Sequence, residues 1–215
     1  MSAIIELELG RLETNCYIIP AQGGRAVVID PASSAEVLNA LEKNNLALDT
    51  ILITHGHFDH FSGAAELIRQ TGARLAVTEP DKEMLLDAEK CWADFCPNEP
   101  FEPLTADITY SGGESFELCG IPLRMMSSKG HTAGSGLLFC KPSPDDDEVI
   151  FAGDTLFRGS VGRADGYSGS RTEQREALKQ IAALKGDYVV YCGHGPKTTL
   201  KFEQRYNPYL TGVIK

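Results

Sequence analysis

Short apolar segments recur along the chain, separated by stretches rich in glycine, proline, serine and aspartate. Segments of this length with such flanks predict β-strands. In the first half the predicted strands are 4–9, 16–19, 26–29, 51–53 and 74–77. In the second half they are 115–118, 121–126, 136–140, 149–152 and 188–191. Two runs of strands, each followed by a helical pattern, indicate an α/β fold.

Four stretches predict helices. Residues 33–36 and 170–173 each place a serine three positions before a glutamate, which is the pattern of a capping box at a helix start. Apolar residues with helical spacing continue both stretches. Further helices are predicted from 61 to about 70, ending before Gly72, and from 81 to about 93.

The composition is typical of a soluble globular protein. Of the 215 residues, 42% are apolar and 23% are charged, with no evident linker or internal repeat, so we expect a single domain spanning 1–215. The formal charge of −10 argues against nucleic acid as a partner, because phosphate binding needs clustered lysine and arginine. No stretch resembles a membrane span or a secretion signal, so we expect no membrane association.

Six cysteines at irregular spacings, without an export signal, predict reduced thiols and a cytoplasmic location. Cys192 stands two positions before His194 and could be a ligand. A buried thiol at a strand end is the favoured interpretation, since free cysteine is among the most buried residue types.

The stretch 54–60 carries three imidazoles and a carboxylate in six positions, directly after the predicted strand 51–53. Such a density of metal-ligand types at the end of a strand is typical of a metal site. The chain has five histidines, and the other two, His131 and His194, also lie in glycine-rich turns, so none is left for an ordinary structural use. Asp154 follows strand 149–152; a loop aspartate is usually a turn or cap residue, but this series of strand ends favours ligation.

Together these positions provide seven nitrogen or oxygen ligands without a thiolate. Seven is too many for one tetrahedral zinc and suits two metals that share a bridging carboxylate. The candidate ligands are His55, His57, Asp59, His60, His131, Asp154 and His194.

Residues 79–110 interrupt the alternation of strands and helices. After the predicted helix 81–93, Pro97, Pro100 and Pro103 exclude regular structure. The segment lies between the histidine-rich stretch and His131, so it could form a lid over the site. A packed surface excursion is equally compatible with this sequence.

The order His-x-His-x-Asp-His, Gly-His-Thr, Gly-Asp-Thr, Gly-His-Gly resembles that of the metallo-β-lactamase superfamily, and within it most closely the short form of the hydroxyacylglutathione hydrolases, the glyoxalase II enzymes. The resemblance runs from 15 to 196, most of the chain. It implies an αβ/βα four-layer sandwich, with two sheets face to face and helices outside.

By this resemblance, His55, His57 and His131 hold a first metal. The second is held by Asp59, His60 and His194, with Asp154 as the bridge. Zinc is implied, although iron and manganese also occur in the family. Two cations bridging a water lower its pKa, so that hydroxide attacks a thioester carbonyl and the thiolate leaves. Asp59 is expected to orient that nucleophile as well as to bind metal.

Some positions depart from the family pattern. Arg163 matches a basic residue that contacts substrate in long-form members, but Asp165 stands in place of the following tyrosine. Arg163 is therefore a candidate substrate contact, with a solvated surface charge as the alternative. Lys129 replaces a common proline. Only 21 residues follow His194, so we expect no C-terminal helical domain of the kind that completes the glutathione site.

Other functions fit the same scaffold. A persulfide dioxygenase-like sulfur oxygenase would use one iron, and the intact second ligand set weighs against it. A lactonase or β-lactamase could use the same site. A non-catalytic metal-binding module would be expected to have lost ligands, and none of the seven is lost. The predicted partner is a small-molecule thioester, and the sequence leaves a homodimer open.

Overall fold

Two six-stranded mixed sheets form the centre of the computed structural model, which describes residues 4–212. Residues 1–3 and 213–215 of the predicted domain 1–215 lie outside the described residues. In spatial order the first sheet contains β1 (Ile5–Leu9), β2 (Thr14–Pro20), β3 (Arg25–Ile29), β4 (Ala47–Ile53), β5 (Arg74–Thr78) and β6 (Ile108–Tyr110). The second contains β7 (Ser115–Leu118), β8 (Ile121–Ser127), β9 (Gly136–Cys140), β10 (Val149–Gly153), β11 (Val189–Cys192) and β12 (Thr198–Thr199).

Strand direction brings several loops to one edge of the molecule. Strands β3, β4, β5 and β6 run parallel in the first sheet, and β10 runs parallel to β11 in the second. The carboxyl ends of parallel strands meet at one edge of a sheet, which is where ligands bind in open α/β sheets. The two edges are joined by a backbone hydrogen bond of 2.7 Å from the Asn15 N–H to the Gly193 carbonyl.

The core has three apolar layers. Between the sheets, Leu52 of β4 belongs to a buried cluster with Tyr17 and Phe151. Its neighbours Ile51 and Ile53 point to the other face, as strand alternation requires, and pack in the layer beneath the first two helices. A third layer lies under the helices of the second sheet. The predicted αβ/βα four-layer sandwich is confirmed.

In the described part of the chain, four α-helices cover the outer faces of the sheets: α1 (Ser34–Lys43), α2 (Ala64–Thr71), α3 (Arg171–Ala183) and α4 (Leu200–Tyr206). Ser170 caps α3 as predicted, accepting the N–H of Glu173 at 3.3 Å. Ser33 does not cap α1 in this way; its hydroxyl donates to the Glu36 carboxylate instead. Helix α2 begins three residues later than predicted, and β6, β12 and α4 were not predicted.

The predicted helix 81–93 is wrong. Short 3-10 turns at Glu79–Asp81, Met84–Leu86 and Ala93–Phe95 occupy this region instead. The Asp87 carboxylate accepts the N–H groups of Glu89 and Lys90, a local alternative to helical bonding. The prediction that the proline-rich part lacks regular structure holds: no helix or strand lies between Phe95 and Ile108.

Membrane-spanning segments were not expected from the sequence. Within residues 4–212, none of the helices combines the length and the hydropathy that crossing a bilayer requires.

Candidate metal centre

All seven predicted ligands come together at the edge where the two sheets meet. His55, His57, Asp59 and His60 lie on the turn after β4, which continues into a 3-10 turn at 58–60. The other three are His131 from the β8–β9 loop, Asp154 after β10 and His194 after β11. The parallel pairs in each sheet explain how the ends of β4, β10 and β11 bring six of the seven ligands together. Strand β8 is antiparallel to β9, which is antiparallel to β10, so β8 runs in the direction of β10 and its end brings His131 to the same edge.

His55, His57 and His131 form one group of convergent nitrogens. The distance from His55 Nε2 to His57 Nδ1 is 3.0 Å, and His131 Nε2 lies 2.8 Å from His57 Nδ1 and 3.0 Å from His55 Nε2. Nitrogens that share a tetrahedral zinc at about 2.0–2.1 Å are separated by roughly 3.3 Å. This triangle can therefore hold one divalent cation with little adjustment.

Asp59, His60 and His194 form a second group beside the first. Asp59 Oδ2 lies 3.2 Å from His194 Nε2 and 3.5 Å from His60 Nε2. Asp154 stands between the groups, with Oδ1 at 3.4 Å from His60 Nε2 and Oδ2 at 3.5 Å from His131 Nε2. This is the position that a bridging carboxylate would need.

Outer hydrogen bonds fix the rings of four of these histidines. His131 Nδ1 donates to the Arg163 carbonyl at 2.7 Å, and His194 Nδ1 donates to the Leu12 carbonyl at 3.0 Å. Each bond leaves Nε2 free to face the centre. Such bonds set the tautomer and orientation of ligating histidines.

The other two of these four share one carboxylate, that of Asp30. It accepts His60 Nδ1–H at 2.9 Å and the Thr54 hydroxyl at 2.7 Å, and Thr54 Oγ1 lies 3.1 Å from His55 Nδ1. With Thr54 donating to Asp30, its oxygen accepts the proton of His55 Nδ1. Asp30 thereby orients one histidine in each group. Sequence reasoning missed it, although an acid directly after a strand is the same signal that marked Asp154.

Asp81 is a second residue that the sequence did not identify. Its carboxylate is fully buried and accepts three hydrogen bonds: from the Gly134 N–H at 2.8 Å, the Gly56 N–H at 3.0 Å and the Thr132 hydroxyl at 2.6 Å. Burial raises the pKa of Asp81 above its usual value, against the lowering effect of these donors. Asp81 joins the turn that carries His55 and His57 to the loop that carries His131.

Electrostatics separate the two groups in the metal-free protein. Burial, followed by the neighbouring imidazoles, lowers the pKa of His55 and lowers that of His57 to about 3. Burial alone would lower the pKa of His60, but Asp59 and Asp30 raise it well above its usual value. Metal binding at His60 must therefore displace a proton, whereas His55 and His57 are already neutral ligands.

The donor set fits divalent cations. His60 Nε2 and Asp154 Oδ1 are buried and face each other at 3.4 Å, and neither forms a hydrogen bond of good geometry within residues 4–212. A bound ion would satisfy both atoms. Gly193 cannot carry a side chain, because a Cβ there would lie 2.2 Å from Asp154 Oδ1. Cys192 is buried with its pKa raised to about 12 by burial, in agreement with the predicted strand-end thiol.

Arg163, the predicted substrate contact, has two partners for its side chain in the structure. Arg163 is half exposed and forms a two-point ion pair with Asp165, at 2.7 Å and 3.1 Å. Its guanidinium also lies 4.8 Å from the ring centroid of Trp92, which stacks on His57. Part of the segment 79–110 thus packs directly against the first ligand group.

Comparison with known proteins places this geometry in context. The family model of the Metallo-beta-lactamase superfamily matches residues 9–194. A hydroxyacylglutathione hydrolase of Dechloromonas aromatica (strain RCB) is 36% identical over 173 residues, which are 80% of this chain and 55% of that protein.

Solved structures share the fold over nearly the full length. The crystal structure of BLEG-1, a B3 metallo-beta-lactamase, matches with a TM-score of 0.87 and 28% identity, covering 98% of this chain and all of that one. A protein solved in a di-iron-bound form matches with a TM-score of 0.80 and 31% identity, covering 95% and 99%.

Proposed function

This chain belongs to the metallo-beta-lactamase superfamily, and we propose that it is a binuclear metallohydrolase that cleaves thioesters of the hydroxyacylglutathione type. The observation that carries the proposal is the pair of three-ligand groups with Asp154 between them. A one-metal enzyme would need only one of these groups. Zinc suits the nitrogen-rich donor set, and the di-iron-bound relative makes iron the second metal to test.

His55, His57 and His131 would hold one cation, and Asp59, His60 and His194 the other. When bound, such a pair supplies polarisation of a carbonyl and a water of lowered pKa. Exposure differs across the ligands: the side chains of Asp59 and His194 are 15% and 26% exposed, whereas that of His60 is fully buried. We place substrate entry on the side of Asp59 and His194.

Asp59 is also placed to take a second role besides binding metal. Its Oδ2 accepts the hydroxyl of the buried Thr14 at 3.0 Å, and burial is outweighed by His60 and His194, so that its pKa is lowered and it stays ionised. A fixed, ionised carboxylate at the open side can accept a hydrogen bond from a nucleophilic water and orient it.

The thioester preference rests on the hydroxyacylglutathione hydrolase relative. The test uses protein whose zinc, iron and manganese contents have been measured. We expect two metal equivalents, and thiol release from S-lactoylglutathione without oxygen uptake. One iron with full activity, together with oxygen consumption on a persulfide substrate, would instead support a sulfur oxygenase.

A second candidate is β-lactam hydrolysis, favoured by the full-length likeness to BLEG-1. Both reactions begin with attack on a carbonyl carbon, so the metal ligands do not distinguish them. Measuring hydrolysis of a chromogenic cephalosporin beside the acyl thioesters distinguishes the two functions. A kcat/KM for the lactam above that for every acyl thioester would replace thioester hydrolysis as the conclusion.

A further inference from the structure

One of the five histidines differs from the rest in how its ring is held. His55, His60, His131 and His194 each place the outer nitrogen within hydrogen-bond distance of an oxygen. His57 faces the group through Nδ1, and its outer atom Nε2 is buried without a partner within residues 4–212. Its orientation must come from another contact.

That contact is Trp92. The indole and imidazole rings are nearly parallel, with an angle of 4° between their planes and 4.4 Å between their centroids. Only 3% of His57 is exposed, so the stacked face is shielded from water. Because the rings overlap, rotation of His57 about its side-chain bonds would break the stack. The indole thus limits the same rotation that a hydrogen bond to Nε2 would limit.

The protein holds Trp92 in this place at some cost. Its φ angle is +61°, a left-handed conformation that a bulky residue rarely adopts. Gly166 leaves room for the indole, since a Cβ there would lie 2.2 Å from a ring carbon of Trp92. The carbonyl of the preceding residue, Cys91, accepts the N–H of Phe58 at 2.8 Å, next to His57. The strained residue is therefore tied to the ligand turn itself.

From this arrangement we infer that Trp92 is the positioning residue for His57, orienting this metal ligand by stacking where the other four histidines use hydrogen bonds. The inference concerns the metal centre and does not depend on which bond the protein hydrolyses. It also gives the segment 79–110 a defined task beside the site. Trp92 is the only tryptophan in the sequence, so the tryptophan fluorescence of the protein comes from this one indole.

The first test measures zinc binding by competition with a chromophoric chelator. Outer contacts of ligating histidines typically change metal affinity by about 10–100-fold, and aromatic stacking is at the weaker end. In Trp92→Leu we therefore expect one of the two zinc equivalents to bind about 3- to 10-fold more weakly, with the other unchanged. Trp92→Phe keeps a flat ring and should restore most of the affinity. Unaltered binding of both equivalents in a folded Trp92→Leu protein would overturn the inference.

A matched control separates stacking from general loss of aromatic surface. Phe95 lies in the same segment and is 54% exposed, and its ring centroid lies 5.6 Å from that of Trp92. Within residues 4–212, its ring packs against no histidine. Phe95→Leu should bind zinc like the wild type. Equal weakening in Phe95→Leu and Trp92→Leu would assign the effect to the aromatic cluster and refute a specific role for Trp92.

The second test does not need a folded Trp92→Leu protein. Binding of Zn²⁺ to the metal-free wild type should lock His57 against the indole and change the tryptophan emission and its anisotropy. In a titration with Zn²⁺, the change in tryptophan emission should be complete after one equivalent has bound. An emission that does not respond to either equivalent would show that Trp92 is uncoupled from the ligand, and the inference would fail. Thioester activity enters neither test, so these outcomes are independent of the proposed reaction.

Discussion

The buried carboxylate of Asp81 offers the sharpest test of how the site is assembled. All three hydrogen-bond partners of this carboxylate are donors: two backbone N–H groups and the Thr132 hydroxyl. In Asp81→Asn the amide nitrogen must replace one acceptor oxygen, so it would face a donor. The residue size is kept, and only the hydrogen-bond chemistry changes.

The expected loss follows from counting donors. One oxygen of the asparagine can still accept the Gly134 or the Gly56 N–H, and Thr132 keeps Ser135 Oγ at 2.8 Å. At least one buried N–H therefore loses its acceptor, which costs about 1–3 kcal/mol, and repulsion between donors adds to this. We expect the free energy of unfolding to fall by about 2–4 kcal/mol and zinc affinity to fall as well, since Gly56 lies between two ligands.

Urea denaturation of the metal-free protein measures the first effect without contribution from bound metal. Asp87→Asn is the matched control, because it makes the same exchange in the same segment. Asp87 is half-buried and accepts the N–H groups of its near neighbours Glu89 and Lys90. We expect its unfolding free energy to change by less than about 1 kcal/mol. If Asp81→Asn unfolds like Asp87→Asn, Asp81 does not join the two loops as argued.

Two further substitutions probe the centre itself. Asp154→Ala should abolish hydrolysis and leave the fold intact, because it removes only the carboxylate between the two ligand groups. Near-normal turnover at matched metal content, with an unchanged circular dichroism spectrum, would contradict this prediction. Asp30→Asn should weaken zinc binding about 10–100-fold by releasing His60 and the Thr54–His55 pair, as measured by chelator competition, and wild-type affinity would refute that role.

The ligand set was predictable because its signal is local. Each ligand follows an apolar strand, and parallel strands must end at the same edge. Asp30 carries the same signal, an acid after the strand that ends at Ile29, but it is not among the predicted site residues. An aspartate that follows a strand has the same sequence pattern whether it forms a turn or holds a metal ligand by a hydrogen bond. The distance of 2.9 Å from the Asp30 carboxylate to His60 Nδ1 shows the second role.

The segment that holds Asp81 and Trp92 could not be predicted in the same way. Its apolar residues suggested a helix, but Met84 and Leu85 are adjacent and both fully buried, which serves packing against the first sheet rather than a helical face. Asp81 finds its donors 25 to 53 residues away. Tertiary contacts decided the conformation, and no periodicity records them.

The choice of thiol carrier depends on Arg163 and its partner. Asp165 forms a two-point ion pair with Arg163, so the wild type should show little preference for an anionic thiol carrier. The comparison is between S-lactoylglutathione and a lactoyl thioester of a small neutral thiol. A preference of several hundred-fold for the glutathione ester would need roughly 3–4 kcal/mol of specific recognition. Asp165→Asn frees the guanidinium beside Trp92 with little effect on stability, because solvent screens an ion pair between two exposed side chains. We expect the ratio of the two kcat/KM values to rise about 3- to 10-fold in favour of the glutathione ester at low salt, and the rise to vanish at high salt. The double variant Arg163→Leu, Asp165→Asn should lose the gain. A ratio that stays constant in Asp165→Asn at low salt would remove Arg163 from substrate recognition. Its contributions to the site would then be the carbonyl that holds His131 and the packing of its guanidinium on Trp92.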